Sequence, residues 1–328
     1  MNQPVVDLHC DLLSYLTRPN SSLQNIEDVG CAIPYLKDGN VKLQIMAIYA
    51  PTAENSHEFG LKQSEIFKKL SAEENELYAF KKDDLANFGS RENIGMLAAV
   101  ENGSAFCDEN ISLKEGFKNL EKIIEEVESL LYIGFTHHAE NRFGGGNFSE
   151  AGLKNDGKAL LDYLDQKNIA VDFSHASDAL AYDILDYVAK KNIKVPILAS
   201  HSNYRPVWEH PRNLPDELAK EIIHQKGLIG LNFVRAFVHT DKPETLEEHV
   251  AHGLSLGAEN ATSYGADFFY TKEMADKSRI PFFAKEHENA GCYVQINDDF
   301  EQRFGTEKMK KISSENALEF IKRVWSKK

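Results

Sequence analysis

No stretch of the sequence approaches the ~18 consecutive apolar residues that a bilayer-crossing helix needs, so no transmembrane helix is expected. Cysteine is sparse. Cys10, Cys31, Cys107 and Cys292 show no paired short spacing and read as reduced thiols of a cytosolic protein. Positive charge is short as well: 37 Lys and Arg stand against 51 Asp and Glu, for a net charge of −14. An acidic surface disfavours nucleic acid and anionic membrane as partners. It says little about a small substrate, because a local metal cluster reverses the sign of the field inside a cleft. The start, Met1-Asn-Gln-Pro4, lacks a basic segment followed by an apolar one, and the end, Trp325-Ser-Lys-Lys328, is no lipid-anchor tail. The expectation is a cytoplasmic protein. Internal repeats and low-complexity tracts are absent too.

What remains is ordinary globular composition, 42% apolar and 27% charged. The 328 residues suit one α/β barrel with loop insertions. Strand-like and helix-like segments alternate, the pattern of a parallel sheet with crossover helices. Short apolar runs at residues 5–8, 41–49, 94–100, 132–136, 169–174, 195–200, 228–233 and 261–266 are the expected strands. That number closes a (β/α)8 TIM barrel. Helices are expected over residues 56–78, 113–130, 155–166, 178–191, 214–225, 243–256 and 313–325. The stripe Phe117, Leu120, Ile123, Ile124, Val127 and Leu131 carries the second of these, and Ser177 or Asp178 can cap the fourth. A single domain over residues 1–328 follows, with a C-terminal helical segment from about residue 299 packing on the barrel. Gly144-Gly-Gly146 marks a mobile loop after the fourth strand, where a lid could sit beside a site.

The histidines and acids fall in one pattern. His9, Asp11, Glu101, His137, His175, His201 and Asp267 each sit at, or just past, the end of one of those runs. In a barrel such strand ends gather at one mouth, where active sites are built. His9 and Asp11 alternate, so period-two geometry puts both on one face, and Cys10 between them points away as a structural residue. A carboxylate ending a strand, as Glu101 does, can bridge two metals through its two oxygens, or simply cap a helix. A lone His after Ser174 or Ser200 is more often a packed residue than a ligand. His175 and His201 in consecutive βα units, joined by His9, Asp11 and Glu101, reverse that balance. Five ligands with a shared carboxylate suit two divalent ions, one held by His9 and Asp11, the other by His175 and His201. The ligand types favour zinc, and manganese or iron fit them as well. Water between two such ions is deprotonated near neutral pH and becomes a nucleophile, which points to metal-assisted hydrolysis.

These residues stand in strings that resemble the membrane (renal-type) dipeptidases of the amidohydrolase superfamily. The strings are Asp7-x-His9-x-Asp11, Glu101 with Gly103, Thr136-His137, Asp172-Phe-Ser-His175 and Ser200-His201-Ser202. His210-Pro-Arg212-Asn213-Leu-Pro-Asp216 and Gly265-Ala-Asp267-Phe268 follow in the same order. The most specific block runs from Ser200 to Asp216. The resemblance implies a dinuclear zinc dipeptidase with His9 and Asp11 on one ion, His175 and His201 on the other, and Glu101 between them. It implies that His137 contacts substrate and stabilises the oxyanion. Arg212 would pair with the C-terminal carboxylate of a dipeptide, and Asp267 would meet its free amino group. Asp267 or Glu101 would pass a proton to the leaving amine. A planar guanidinium fork suits a carboxylate, and an acid opposite an ammonium favours an unblocked N-terminus. Family members accept D-residues at the C-terminal position and are often homodimers.

The residues also allow other roles. Arg212 can instead pair with Asp216 or Glu217, and Asp267 can cap the segment after the last strand. His138 should face away from the site, and His210 should pack its loop. The family usually continues Asp-Phe-Asp-Gly where this chain has Asp267-Phe268-Phe269-Tyr270, and two glycines where Asn102-Gly103 follow Glu101. The wall of the pocket therefore differs, which opens the substrate to a lactam, a lactone or an N-acyl amino acid. A non-catalytic peptide- or metal-binding descendant is the remaining alternative, disfavoured by the intact ligand set.

Overall fold

Each strand after the first returns to the same starting edge, so every pairing in the sheet is parallel. The computed structural model describes residues 3–165, 167–274 and 276–326. Its strands are β1 (Val5–Cys10), β2 (Val41–Ile48), β3 (Leu77–Ala79), β4 (Ile94–Val100), β5 (Leu130–Gly134), β6 (Ala170–Asp172), β7 (Ile197–Ala199), β8 (Leu228–Leu231) and β9 (Thr262–Tyr264). The order β2-β1-β9-β8-β7-β6-β5-β4 closes through a β2–β4 pairing into an eight-stranded barrel in one domain. β3 is a ninth strand, laid along the first half of β4 from Leu77↔Ile94 to Ala79↔Met96. β5 joins β4 only beyond that point, at Ala98 and Val100. Gln166, the expected end of the third helix, lies outside the described residues, as do residues 327–328 of the expected C-terminal segment.

Two helices give way to strand at their expected ends. The helix expected over 56–78 is Ser56–Glu73, and its last apolar positions pair with β4 instead. The helix expected over 113–130 is Leu113–Val127, because Glu128 takes φ 60° and turns the chain. Leu130 and Leu131 then open β5, two positions ahead of the expected strand start. In both cases cross-strand hydrogen bonds outweigh a local helical stripe. Ser177 caps its helix as expected, its oxygen accepting the Leu180 N–H at 2.9 Å, and the Ser112 oxygen likewise accepts the Glu115 N–H at 3.1 Å.

The N-terminal mouth of the barrel is closed by the last helix, Asn316–Trp325. Its residues Ala317, Phe320, Ile321 and Val324 form one buried cluster with Val6, Leu8, Leu43, Ile45, Leu97 and Ala99, the period-two set of β1, β2 and β4. The opposite, C-terminal mouth stays open to the loops. Among the described residues no helix is long and apolar enough to cross a membrane.

Candidate metal centre and active site

The strand ends set the positions. His9 is the last residue but one of β1, Asp11 follows that strand, and Glu101 follows β4 directly. His137, His175, His201 and Asp267 lie just past β5, β6, β7 and β9. His175 and Asp267 have φ of 66° and 65°, a left-handed turn that re-aims the side chain inward. Asp7, the first acid of the β1 string, points elsewhere. Its carboxylate accepts the His9 N–H at 3.2 Å and the Ala266 N–H at 3.0 Å, tying β1 to the end of β9.

Glu101 is the hub. Its Oε2 lies 3.8 Å from His9 Nε2. Its Oε1 lies 3.0 Å from His175 Nε2, 3.9 Å from His201 Nε2 and 3.5 Å from His137 Nε2. His175 Nε2 and His201 Nε2 are 3.0 Å apart. Two overlapping triads result, His9–Asp11–Glu101 and Glu101–His175–His201, each with ligand atoms within 4.8 Å of one another. The carboxylate thus divides its oxygens between the two halves of the site.

Outer hydrogen bonds fix which ring nitrogen faces inward. The Tyr132 hydroxyl donates to the Leu8 carbonyl at 2.8 Å, so it accepts from His9 Nδ1–H at 2.8 Å. Ser200 Oγ donates to Asp172 Oδ2 at 2.5 Å, so it accepts from His201 Nδ1–H at 2.6 Å. Both histidines therefore present an Nε2 lone pair to the centre, the tautomer a metal ligand requires.

Burial drives every ionisable group here toward its neutral form. It pushes the His9 imidazole down to about 3 and lowers those of His137, His175 and His201. It raises the carboxyl of Asp11, with repulsion from Asp267 adding to the shift, raises that of Glu101, with repulsion from Asp11 and Asp267 adding, and lifts that of Asp267 to about 7. His9 Nε2, Asp11 Oδ1 and Glu101 Oε2 are buried without hydrogen-bond partners among the described residues. Buried polar atoms normally have partners. Three that lack them, aimed at one point amid crowded acids and neutral imidazoles, fit a divalent cation.

The substrate-side residues are more varied. Asp267 faces the centre: its Oδ1 is 3.9 Å from His9 Nε2 and its Oδ2 accepts from Asn232 Nδ2 at 2.9 Å. Arg212 does not pair with Asp216 or Glu217. It is buried, donates from Nη1 to Ser202 Oγ at 2.8 Å and from Nη2 to the His201 carbonyl at 2.9 Å, and leaves Nε without a partner among the described residues. Asp216 instead meets His252 at 2.7 Å. His210 accepts the Arg212 N–H at 3.0 Å and packs on Phe237, a loop-packing role. Cys10 is a buried free thiol, as are Cys31 and Cys107, and Cys292 is also unpaired.

Two expectations need correction. His138 does not face away. Its ring sits 4.0 Å from that of His137 and 4.9 Å from that of His175, because the chain bends after β5 and strand alternation no longer applies. The Gly144–Gly146 segment is no free lid. It is buried; a Cβ on Gly146 would stand 2.2 Å from the His137 carbonyl oxygen, and Gly145 accepts the Ser177 N–H at 2.9 Å. Gly146 thus allows close backbone approach to His137 and Gly145 to Ala151.

A cavity of about 180 Å³ opens over the centre, lined by Asp11, Glu101, His137, His175 and Asp267 and by residues the sequence reading did not single out. Among these are Tyr49, whose ring meets His137 edge-on at 5.0 Å, together with Arg18 and Arg279, while Phe269 and Tyr270, the altered wall expected from the sequence, line it as well. Of Tyr49, Arg18 and Arg279, only Tyr49, ending an expected strand, carries any signal; the two arginines come from segments without periodicity.

The sequence model of the membrane dipeptidase family (peptidase family M19) matches residues 1–327. The chain is 26% identical over 220 residues to the dipeptidase verJ of Clonostachys rogersoniana, covering 60% of this chain and 55% of that protein. It spans about half the length of the first curated relatives it matches. The crystal structure of dipeptidase AC, a family M19 metallopeptidase, superposes with a TM-score of 0.83 at 19% identity, covering 99% of both chains. A metallopeptidase from Rhodobacter sphaeroides, liganded with a phosphinate mimic of L-Ala-D-Ala, superposes with a TM-score of 0.81 at 18% identity, covering 99% of this chain and 100% of that one. At such identities the likeness establishes the fold.

Proposed function

This chain belongs to the membrane dipeptidase family, peptidase family M19, and from that premise we propose that it is a dinuclear zinc dipeptidase acting on dipeptides with both ends free. The observation that carries this reading is the divided carboxylate of Glu101, one oxygen toward His9 and the other toward His175. His9 and Asp11 would hold one ion, His175 and His201 the other, and Glu101 would bridge them. When bound, the pair would polarise the scissile carbonyl and supply a nucleophilic water at neutral pH. His137 stands beside the bridge, 3.5 Å from Glu101 Oε1, where it can donate to the carbonyl oxygen as negative charge develops. Asp267, steadied by Asn232, would face the substrate ammonium, accept the proton that the attacking water gives up and pass it to the leaving amine. Burial of His9, Glu101, His175 and His201 keeps bulk water from the floor of the site, while His137 stays partly open to the cavity. The relative liganded with an L-Ala-D-Ala mimic supports tolerance of a D-residue at the C-terminal position.

The test is metal content per chain together with cleavage rates for L,L and L,D dipeptides. Two zinc ions and cleavage confined to peptides with both ends free are the expected result. The altered wall at Phe269 and Tyr270 favours a second reading, hydrolysis of a lactam, lactone or N-acyl amino acid on the same centre. A panel of those compounds separates the two, because only a dipeptidase needs both end charges. Arg212→Ala distinguishes a clamp from a brace. A clamp on the substrate carboxylate predicts KM raised roughly tenfold or more, the worth of a charged hydrogen bond. Loss of bound metal with KM unchanged would mark it as a brace for His201.

A further inference from the structure

The cavity lining carries a positive charge that the dipeptidase reading leaves unused. Its acids are Asp11, Glu101 and Asp267, all committed to the centre or to the substrate ammonium. Its arginines are Arg18 and Arg279, and they differ in one respect. Arg18 lies 4.6 Å over the Tyr270 ring and is ion-paired with Glu273, so its charge is answered. Arg279 ends the short turn Lys277–Arg279, is half-buried, and lies 5.3 Å over the Phe282 ring. Among the described residues no carboxylate comes within ion-pair distance of it, and Asp267 and Asp276 feel its charge only at longer range. A guanidinium laid against an aromatic face keeps its planar fork oriented, and such a fork matches a carboxylate with two parallel hydrogen bonds. An arginine without an ion pair at the wall of the substrate cavity is a ready partner for an anionic group of the substrate.

We propose that the preferred substrates are dipeptides bearing an acidic side chain, and that Arg279 is the residue that reads the side-chain carboxylate. The inference rests on the dipeptidase reading and adds to it a substrate class. A neutral side chain leaves the guanidinium to solvent, whereas Asp or Glu in the substrate completes a charge-assisted pair at little ordering cost.

The experiment compares kcat/KM of the metal-loaded full chain on L-Leu-D-Ala, L-Leu-D-Glu, L-Glu-D-Ala and L-Leu-D-Lys. At least one acidic peptide should exceed L-Leu-D-Ala roughly tenfold or more, the worth of one charged hydrogen bond. Arg279→Ala should bring that ratio to about one, Arg279→Lys should keep part of it, and Arg279→Glu should shift preference toward the lysine peptide. A wild-type ratio near one, or Arg279→Ala lowering L-Leu-D-Ala and the acidic peptides in equal proportion, overturns the proposal while dipeptidase activity stands. Failure to cleave any of the four overturns the dipeptidase reading and this inference with it.

Discussion

At the N-terminal mouth of the barrel, Ala317, Phe320, Ile321 and Val324 meet strand residues in a wholly apolar cluster. At the C-terminal mouth, His9 Nε2, Asp11 Oδ1 and Glu101 Oε2 are just as deeply buried and have no hydrogen-bond partner among the described residues. The same strands supply both ends, with side chains separated by a few residues. One end lowers the free energy of folding by removing apolar surface from water. The other raises it, by holding neutral imidazoles and repelling carboxyls in a dry place until a cation binds. Stability and chemistry are thus assigned to opposite ends of one closed sheet.

The largest effect should come from breaking the upper end. Glu101→Gln keeps the shape of the side chain and removes the charge that both triads share. Turnover should fall by more than the roughly 10–100-fold typical of losing an outer partner, and metal content should fall with it. The chelated protein should melt no lower than the chelated wild type, because the substitution also removes a buried, repelled carboxyl. A clear drop in melting temperature without metal would contradict this division of labour.

Breaking the lower end should give the converse. Phe320→Ala opens a cavity in the apolar plug and should cost about 3–5 kcal/mol of unfolding free energy, read by denaturant titration. Specific activity per folded chain and metal stoichiometry should stay as in the wild type. If activity per folded chain falls as well, the two mouths are coupled.

The smallest effect falls between them. Tyr132 joins the apolar cluster through its ring and the centre through its hydroxyl, which orients His9. Tyr132→Phe keeps the ring and frees the His9 tautomer. Metal affinity, measured by competition with a chelator, should weaken roughly 10–100-fold, while stability with metal bound at saturation changes by about 1 kcal/mol. Unchanged affinity would show that the ring alone orients His9.

Much of the upper end was legible because strand ends announce themselves. An apolar run followed at once by His9, Glu101 or His201 needs no distant information: in a parallel barrel every such end opens on one mouth. Reading failed where the chain leaves extended geometry. Strand alternation places His138 away from the site, but that alternation ends with β5 at Gly134. Three glycines at 144–146 suggested freedom and instead mark backbone packed too tightly for a Cβ. Leu77 continues a helical stripe in the sequence, and only its pairing with Ile94 makes it part of the β3 strand. Arg18 and Arg279, far apart in sequence and on irregular segments, carry no period that could predict a shared cavity.

The sequence alone determined the alternation of strand and helix, the family strings, and the order of acids and imidazoles at strand ends, because periodicity and spacing are local properties. The tertiary structure alone decided how Glu101 divides its oxygens, which nitrogen each histidine turns inward, and which arginine meets the cavity without an ion pair among the described residues. Those depend on distances between residues brought together only when the sheet closes, and no local pattern encodes such distances.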